Sequence, residues 1–235
     1  MGSQAVVLAG GLGTRLRSVV ADRPKSMALV KGRPYLAYLL DQLVDAQVST
    51  VVLCTGYGAD EIWRAFGNVY RDLSLLYSHE QEPLGTAGAL RLALPLLGAT
   101  AALVMNGDSF FNTDLEEFQA LHRERQAEGS LLLAQVPDSS RYGLVHTDPA
   151  DVVIGFDEKG GQGRSGWVNA GVYLLERSLL ESIPAGMVSL ENVMFPQWAS
   201  GGRLRGYRTK GCRFLDIGTP ESYAEAQHFF TQLEG

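Results

Sequence analysis

Residues 8–16 read Leu8-Ala9-Gly10-Gly11-Leu12-Gly13-Thr14-Arg15-Leu16, and Pro24-Lys25 follow them. An apolar run at residues 4–9 leads into the glycines, a pattern typical of a buried strand that ends in a turn. Glycines have no Cβ atoms, so the backbone N–H groups of such a turn can crowd around phosphate oxygens. Arg15 adds a planar fork of donors, and Lys25 adds a point charge. The stretch therefore predicts a phosphate-binding turn after the first strand.

Two common phosphate-binding motifs do not fit this stretch. A dinucleotide-binding fingerprint that starts at Gly11 needs glycine at position 16, where Leu16 stands. A P-loop that starts at Gly10 needs Gly-Lys-Ser/Thr at positions 15–17, where the chain reads Arg15-Leu16-Arg17. Three glycines alone are typical of an ordinary turn, but the basic residues that accompany them favour a nucleotide phosphate site of another kind.

Apolar runs alternate with helix-like segments over residues 1–128. Strands are expected at residues 4–9, 50–55, 73–77 and 101–105, and helices at residues 35–47, 60–66, 86–97 and 114–126. This order predicts an α/β fold with a doubly wound, mostly parallel, Rossmann-like sheet and right-handed crossovers. Ligands of such sheets bind at the carboxyl ends of the strands, so we expect the site there.

The pattern changes after residue 128. Strand-like segments at residues 130–136, 143–146, 152–157 and 167–175 predict a small antiparallel lobe laid against the first sheet. A helix is expected at residues 189–200, a strand at 213–216 and a closing helix at 220–233, with Thr219 as N-cap and Pro220 at its first position. We therefore expect a single domain over residues 1–235, with halves at 1–128 and 129–235.

Composition excludes several classes of protein. The chain has 235 residues and a net charge of −6, with 46% apolar and 20% charged residues, which is a normal globular balance. Nucleic acids and anionic membranes need a basic face, so neither is an expected partner. No apolar stretch has the length of a membrane span. Cys54 and Cys212 fit neither a disulfide framework nor metal-ligand spacing, which indicates a reducing cytoplasm.

The glycine-rich stretch resembles the N-terminal motif of the sugar-1-phosphate nucleotidyltransferases. The pattern of that family is Gly-Gly-x-Gly-Thr-Arg-Leu followed by Pro-Lys-x-Met, and here it reads as residues 10–16 and Pro24-Lys25-Ser26-Met27. Position 26 is often proline in the family, so Ser26 departs from the pattern but leaves the lysine in place. The resemblance covers essentially the whole chain, with further matches in register at residues 80–88, 106–108, 142–143, 158–159, 169–171 and 216–220.

The resemblance implies a nucleoside triphosphate and a sugar 1-phosphate as substrates, and it assigns a role to each matched residue. Nucleotide binding is implied for Leu8, Gly10, Gly11, Gly13, Thr14, Glu80, Pro83, Gly85 and Thr86. Sugar-phosphate binding, in the half at residues 129–235, is implied for Tyr142, Gly143, Glu158, Lys159, Asn169 and Gly171. Catalytic roles are implied for Arg15, Lys25, Asp108, Lys159 and Asp216.

A metal site follows from the positions of two aspartates. Asp108 and Asp216 each end an apolar run, and either one alone is as typical of a strand-end turn or a helix cap as of a metal ligand. Together they predict one Mg²⁺ ion held by two carboxylates, with further oxygens from the triphosphate. Lys159 after acidic residues is, without the family context, typical of a solvated surface ion pair.

Glu80 bears on the choice of base. A carboxylate accepts two parallel hydrogen bonds, which suits the N1–H and exocyclic amine of guanine, whereas uracil offers one such donor. The residue therefore favours GTP over UTP, although related uridylyltransferases also carry acids in this loop.

Within the family, the short chain most resembles the D-glycero-D-manno-heptose 1-phosphate guanylyltransferases. The stretches that carry this likeness are residues 106–111, 141–143 and 214–218. The implied products are GDP-heptose and pyrophosphate. A mannose 1-phosphate guanylyltransferase and an N-acetylmuramate 1-phosphate uridylyltransferase stay open as alternatives.

A sugar-nucleotide sensor without catalytic activity is the alternative from another class of protein. Such a sensor is expected to lose a metal aspartate or the basic pair Arg15 and Lys25, and all of these are present. Trp198 and the pair Phe229-Phe230 belong either to the core or to the interface of a homodimer. His122 lies on a charged helix and is predicted at the surface.

Overall fold

The computed structural model describes residues 3–11, 13, 16, 18–20, 23–157, 163–209 and 211–232. The strands, in chain order, are β1 Ser3–Leu8, β2 Leu29–Val30, β3 Arg33–Pro34, β4 Val48–Thr55, β5 Val69–Tyr70, β6 Leu73–His79, β7 Ala101–Asn106, β8 Ser109–Phe111, β9 Gly129–Val136, β10 Val145–Thr147, β11 Val153–Phe156, β12 Gly166–Glu176, β13 Leu204–Arg208 and β14 Phe214–Asp216. The α-helices are α1 Tyr35–Asp45, α2 Ala59–Phe66, α3 Gly85–Ala93, α4 Leu115–Glu124, α5 Arg177–Glu181, α6 Phe195–Ser200 and α7 Pro220–Phe229.

An eight-stranded sheet runs through the protein in the order β13-β9-β12-β7-β1-β4-β6-β5. Its centre is parallel, because β7, β1, β4 and β6 pair in that sense. The apolar runs of β1 and β4 are largely buried, as expected for parallel strands with helices on both faces. The predicted α/β fold with a mostly parallel, doubly wound sheet is confirmed.

The second half of the chain differs in one respect from the expectation of a lobe laid against the first sheet. β12 pairs antiparallel with β7, and β9 pairs antiparallel with β12, so both strands extend the main sheet. Their runs are buried almost throughout, and this burial suits strands inside a sheet that is covered on both faces. A small antiparallel sheet is present as predicted, and it consists of β10 and β11.

Strand β13 was not predicted from the sequence. It pairs in parallel with β9 at the edge of the sheet. Two arginines and a glycine interrupt its short apolar pattern, so nothing in Leu204–Arg208 marks it as a strand. Its buried positions are Leu204 and Gly206, which alternate as a half-buried strand requires.

Prolines explain where two predicted helices depart from regular α-helix. The helix predicted at residues 86–97 ends at Ala93 and continues as a 3₁₀ turn, Leu94–Leu96, around Pro95, which cannot donate a backbone hydrogen bond. The helix predicted at 189–200 begins as a π-turn, Leu190–Met194, and becomes α6 with Pro196 in its first turn.

The core lies on both faces of the main sheet and includes side chains whose place the sequence left open. Trp198, Phe229 and Phe230 are all buried in this single chain, so they are core residues. The prediction of a surface position for His122 was wrong, because its side chain is only 3% exposed. Its ring nitrogens lie 2.8 Å from Ser130 Oγ and 3.3 Å from a Glu176 carboxylate oxygen, which allows a polar ring to be buried.

Within the described residues, no helix has both the length and the apolar character needed to cross a bilayer.

The two tryptophans Trp198 and Trp63 provide a test of this core. Trp198 is 1% exposed and its indole N–H donates to Ser182 Oγ, whereas Trp63 is 55% exposed. Replacing Trp198 with alanine removes a large buried side chain and should lower the free energy of unfolding by about 3–5 kcal/mol. Trp63→Ala should change it by less than about 0.5 kcal/mol. Urea unfolding measures both, and equal losses would contradict the packing described here.

Candidate active site

A large cleft opens at the carboxyl ends of the parallel strands. Leu8, Gly56, Glu80 and Asn106, which end or follow β1, β4, β6 and β7, all line it. Its volume of about 1600 Å³ exceeds the roughly 300–1,000 Å³ typical of a site for one small ligand. The cleft therefore has room for two substrates, at the edge of the sheet that the topology predicted.

Most of the predicted site residues line this cleft. Those that do so are Leu8, Gly10, Gly11, Gly13, Lys25, Glu80, Pro83, Gly85, Thr86, Asp108, Tyr142, Gly143, Asn169 and Asp216. Gly171 lies behind the wall, where its N–H donates to Asn169 Oδ1 at 2.8 Å. Thr14, Arg15, Glu158 and Lys159 lie outside the described residues, and their roles stay predictions.

Gly10 and Gly13 show why the first turn needs glycines. A Cβ atom on Gly10 would lie 2.8 Å from Glu80 Oε1, so only glycine leaves room for that carboxylate. Gly13 has a φ of +57°, and a Cβ atom there would lie 2.9 Å from the Lys25 Cβ. The glycine turn therefore packs directly against two of the predicted site residues, Glu80 and Lys25.

Contacts with the backbone position Glu80. The backbone N–H of Glu80 donates to Thr55 O at 2.9 Å, and the side-chain Oε2 accepts a hydrogen bond from Leu84 N at 3.1 Å. Oε1 sits against Gly10 and also against Gly56, where a Cβ atom would lie 2.9 Å away. Because the side chain is held in place before any ligand arrives, its acceptors are preorganised in the cleft.

Lys25 and Asp108 form an ion pair in the floor of the cleft. Lys25 Nζ lies 2.6 Å from Asp108 Oδ2, and Ser109 Oγ donates to Asp108 Oδ1 at 3.1 Å. Burial disfavours the charged form of Asp108, but the charge and hydrogen bond of Lys25 outweigh it and lower the pKa of that carboxyl. Asp108 is therefore a carboxylate at neutral pH.

Asp216 reaches the same place from the other half of the chain. β14 pairs antiparallel with β8, with Asp216 opposite Ser109, and Ile217 N donates to Asp108 O at 3.0 Å. Asp216 Oδ1 accepts hydrogen bonds from Gly218 N at 3.0 Å and from Arg141 Nη2 at 3.1 Å. Burial and the negative charge of Asp108 raise the pKa of Asp216.

These two carboxylates fit a divalent cation. Burial is the larger cause of the raised pKa of Asp216, and the charge of Asp108 adds to it; a bound cation relieves this charge repulsion, and oxygen atoms are the ligands that Mg²⁺ prefers. Among the described residues, Asp216 Oδ2 accepts no hydrogen bond, and no third acid, histidine or cysteine joins the pair as a ligand cluster. Water and phosphate oxygens would have to supply the other ligands.

A polar network forms the wall of the cleft beside Asn169. Asn169 Nδ2 donates to the hydroxyl of Tyr173 at 2.9 Å, and Asn106 Nδ2 lies 3.4 Å from the same oxygen. Asn106 Oδ1 is buried and accepts no hydrogen bond within the described part of the chain. Such an orphan acceptor is expected to find a partner when a polyhydroxylated ligand fills the cleft.

Thr86 lines the cleft and also joins two segments of the chain, and its role in nucleotide binding stays a prediction. Its hydroxyl donates to Glu191 Oε2 at 2.8 Å and accepts from Leu190 N at 2.7 Å. Ser189 Oγ donates to the same Glu191 oxygen at 3.0 Å. Thr86 thus ties the start of α3 to the segment that carries Glu191, which also lines the cleft.

Three further cleft residues, Asn106, Arg141 and Glu191, were not assigned a role from the sequence. Asn106 and Arg141 adjoin matched motifs, so their neighbours could have indicated them. Glu191 is recognisable only through its contact with Thr86, which joins segments far apart in the chain.

Comparison with protein families identifies this arrangement. The model of the family described as nucleotidyl transferase matches residues 4–233 of the chain. The chain belongs to the nucleotidyl transferase family. The matched region of this nucleotidyltransferase includes the glycine turn, Asp108 and Asp216.

Several relatives resemble the transferase over most of its length. D-glycero-alpha-D-manno-heptose 1-phosphate guanylyltransferases of Aneurinibacillus thermoaerophilus and Campylobacter jejuni are 36% and 34% identical, covering 95% and 94% of this chain and 96% of each relative. A mannose-1-phosphate guanylyltransferase of Mycobacterium tuberculosis is 36% identical over 93% of this chain, but only 62% of that relative is covered.

A solved structure extends this similarity to the fold. HddC from Yersinia pseudotuberculosis is 34% identical, with a TM-score of 0.86 over 98% of this chain and 100% of HddC. The same protein has been solved in complex with GMP-PN, with a TM-score of 0.85.

The environments of the two cysteines predict how the transferase reacts with thiol reagents. Burial, together with the nearby Glu80 carboxylate, raises the pKa of the Cys54 thiol to about 12, whereas Cys212 is only half-buried. At pH 8 the thiolate of Cys54 should be populated at roughly 1 part in 10,000. A chromogenic disulfide reagent should therefore label at most one thiol of the native protein quickly, and Cys212→Ser should abolish that reaction. Rapid labelling of two thiols before unfolding would contradict the burial of Cys54.

Proposed function

We propose that this nucleotidyltransferase transfers GMP from GTP to D-glycero-α-D-manno-heptose 1-phosphate, releasing pyrophosphate and forming GDP-heptose. The observation that carries the proposal is the meeting of Asp108, Asp216 and Lys25 at the end of the glycine turn. The names of two relatives of nearly the same length, at 34% and 36% identity, support the choice of substrates.

The reaction is an in-line displacement at the α-phosphorus of GTP. An oxygen of the sugar phosphate forms the new bond to that phosphorus. The bond from the α-phosphorus to the oxygen that bridges it to the β-phosphorus breaks, and pyrophosphate leaves with the electron pair. No general base is needed, because the second pKa of a phosphate monoester is about 6 and the nucleophile is anionic at neutral pH. The protein therefore acts mainly by positioning and charge neutralisation.

Asp108 and Asp216 are the residues that would hold Mg²⁺. The ion would supply neutralisation of the charge on the triphosphate and the leaving pyrophosphate. Lys25, which lies 2.6 Å from Asp108, is placed to donate to phosphate oxygens beside that ion. In this proposal Arg15 stabilises the nucleotide phosphates, Lys159 holds the sugar phosphate and Glu158 binds sugar hydroxyls, as the family resemblance implies.

Glu80 supports guanine as the base. Its carboxylate lies in the cleft wall formed by Gly10 and Gly56, where a base that enters above the glycine turn would meet it. Two acceptors side by side match the two adjacent donors of guanine.

Mannose 1-phosphate is the second candidate acceptor. The supporting observation is the mannose-1-phosphate guanylyltransferase relative at 36% identity, which this chain covers only in part. The site formed by Lys25, Asp108 and Asp216 favours an enzyme over a sensor, and the names of the guanylyltransferase relatives described above favour GTP over UTP. The cytoplasm, where nucleoside triphosphates are made, is the proposed compartment, and a homodimer stays a prediction.

Pyrophosphate release tests the reaction directly. Five nucleoside triphosphates are crossed with the 1-phosphates of heptose, mannose and N-acetylmuramic acid in the presence of Mg²⁺. GTP with the heptose substrate should give the highest kcat/KM. Asp108→Asn keeps the shape of the side chain but removes its charge, and should lower kcat by roughly 100- to 1000-fold. Asp151→Asn, at a residue that pairs with Arg125 and does not line the cleft, is the control and should leave kcat unchanged.

Other outcomes of this assay have definite meanings. A preference for mannose 1-phosphate would overturn the heptose assignment and keep the guanylyl one. Absence of turnover with every pair would overturn the proposed reaction and favour the sensor.

Glu80→Gln tests the choice of base. The substitution turns one acceptor into a donor that opposes the guanine amine, so KM for GTP should rise roughly 10- to 100-fold while the preference over UTP shrinks. Glu124→Gln, at an exposed residue of α4 that does not line the cleft, is the matched control. An unchanged ratio of kcat/KM for GTP and UTP in Glu80→Gln would show that another residue selects the base.

A further inference from the structure

Arg141 is a cationic cleft residue with a defined anchor. Its Nη2 donates to Asp216 Oδ1 at 3.1 Å and to Ser222 Oγ at 3.2 Å. Its guanidinium carbon lies 5.5 Å from the centre of the Tyr142 ring. One end of the guanidinium is therefore held by β14 and by the first turn of α7, and its orientation is fixed without a ligand.

The other edge of this guanidinium has donors to spare. A guanidinium has five N–H groups, and the contacts to Asp216 and Ser222 involve only Nη2. Nε and Nη1 have no hydrogen-bond partner among the described residues, although the side chain lines the cleft and is 40% exposed. Nη1 carries two N–H groups, and these are the donors available to the oxygens of a phosphate, whereas Nε–H lies on the same edge of the guanidinium as Nη2.

The charges around the cleft floor favour an anion at Nη1 of Arg141. Lys25 pairs with Asp108 and Arg141 pairs with Asp216, so these four groups are balanced before substrates enter. Two phosphorylated substrates add several negative charges. A cation that is held in place and has free donors can neutralise part of that charge. Arg141 also directly precedes Tyr142 and Gly143, on the side of the cleft that carries Asn169 rather than the glycine turn.

We propose that Arg141 binds the phosphate of the sugar 1-phosphate through its Nη1–H groups while Nη2 stays on Asp216 and Ser222. This inference rests on the proposed function, which it deepens by naming a further ligand of the acceptor. The planar guanidinium of Arg141 then contacts both the attacking phosphate and the carboxylate of Asp216. The distance between nucleophile and α-phosphorus is set in part by that guanidinium.

A simpler role for Arg141 would be to hold Asp216 in place. In that case the loss of Arg141 would disturb the aspartate, so metal affinity and kcat would fall while the affinity for the sugar 1-phosphate stayed the same. The two roles therefore differ in which ligand responds.

The test compares Arg141→Lys and Arg141→Gln with wild-type enzyme. The matched control is Arg125→Gln, since Arg125 pairs with Asp151 at 3.0 Å and is 37% exposed but does not line the cleft. For Arg141→Gln, KM for the heptose 1-phosphate should rise roughly 10- to 100-fold, with KM for GTP changed far less. Arg141→Lys keeps the charge but not the planar guanidinium, and should recover only part of this loss.

A binding measurement gives a readout that is independent of turnover. Heptose 1-phosphate is titrated calorimetrically into enzyme loaded with a non-hydrolysable GTP analogue, and Mn²⁺ affinity is measured by electron paramagnetic resonance. The expected result is weaker sugar-phosphate binding with little change in Mn²⁺ affinity. Unchanged sugar-phosphate binding with weaker Mn²⁺ binding would overturn the proposal in favour of the simpler role.

Wild-type turnover separates this inference from the proposed function. If wild-type enzyme prefers another sugar 1-phosphate, the heptose assignment fails, and the same comparison of KM values with that sugar decides the role of Arg141. If wild-type enzyme uses the heptose substrate and Arg141→Gln matches Arg125→Gln in every KM, only the Arg141 inference fails.

Discussion

The pairing of β8 with β14 is the contact on which the site depends. It places Asp216 beside Asp108, although the two residues lie in different halves of the chain. Burial, together with the charge of the neighbouring Asp108 carboxylate, raises the pKa of Asp216. Lys25 and Arg141 offset the negative charge, one for each carboxylate. The short strands therefore hold two carboxylates together with a cationic partner for each.

Much of the fold was predictable because the parallel strands are nearly continuous apolar runs. The run that becomes β1 and the glycines after it identified both the centre of the sheet and the location of the cleft. Asp108 was recognisable for the same reason, since a polar residue that directly follows a buried strand lies at the edge where ligands bind. Such inferences need only local pattern and the known geometry of parallel sheets.

Features that depend on contacts between distant segments were not predictable. β13 is a strand because β9 offers it an edge, and His122 is buried because Ser130 and Glu176 satisfy its ring. The bond from Thr86 to Glu191 likewise joins helix α3 to a segment about a hundred residues later. In each case the deciding partner lies far along the chain, where periodicity carries no information.

Strand β12 limits how the two halves of the protein can move relative to each other when substrates bind. It hydrogen-bonds to β7 on one side and β9 on the other, so backbone ladders join the nucleotide half to the acceptor half without a linker. Enzymes that close around their substrates by swinging two lobes need a hinge of a few loop residues, and a sheet that continues across both halves offers no such loop between them. Closure around substrates is therefore expected from loop rearrangement at the rim of the cleft rather than from movement of one half against the other.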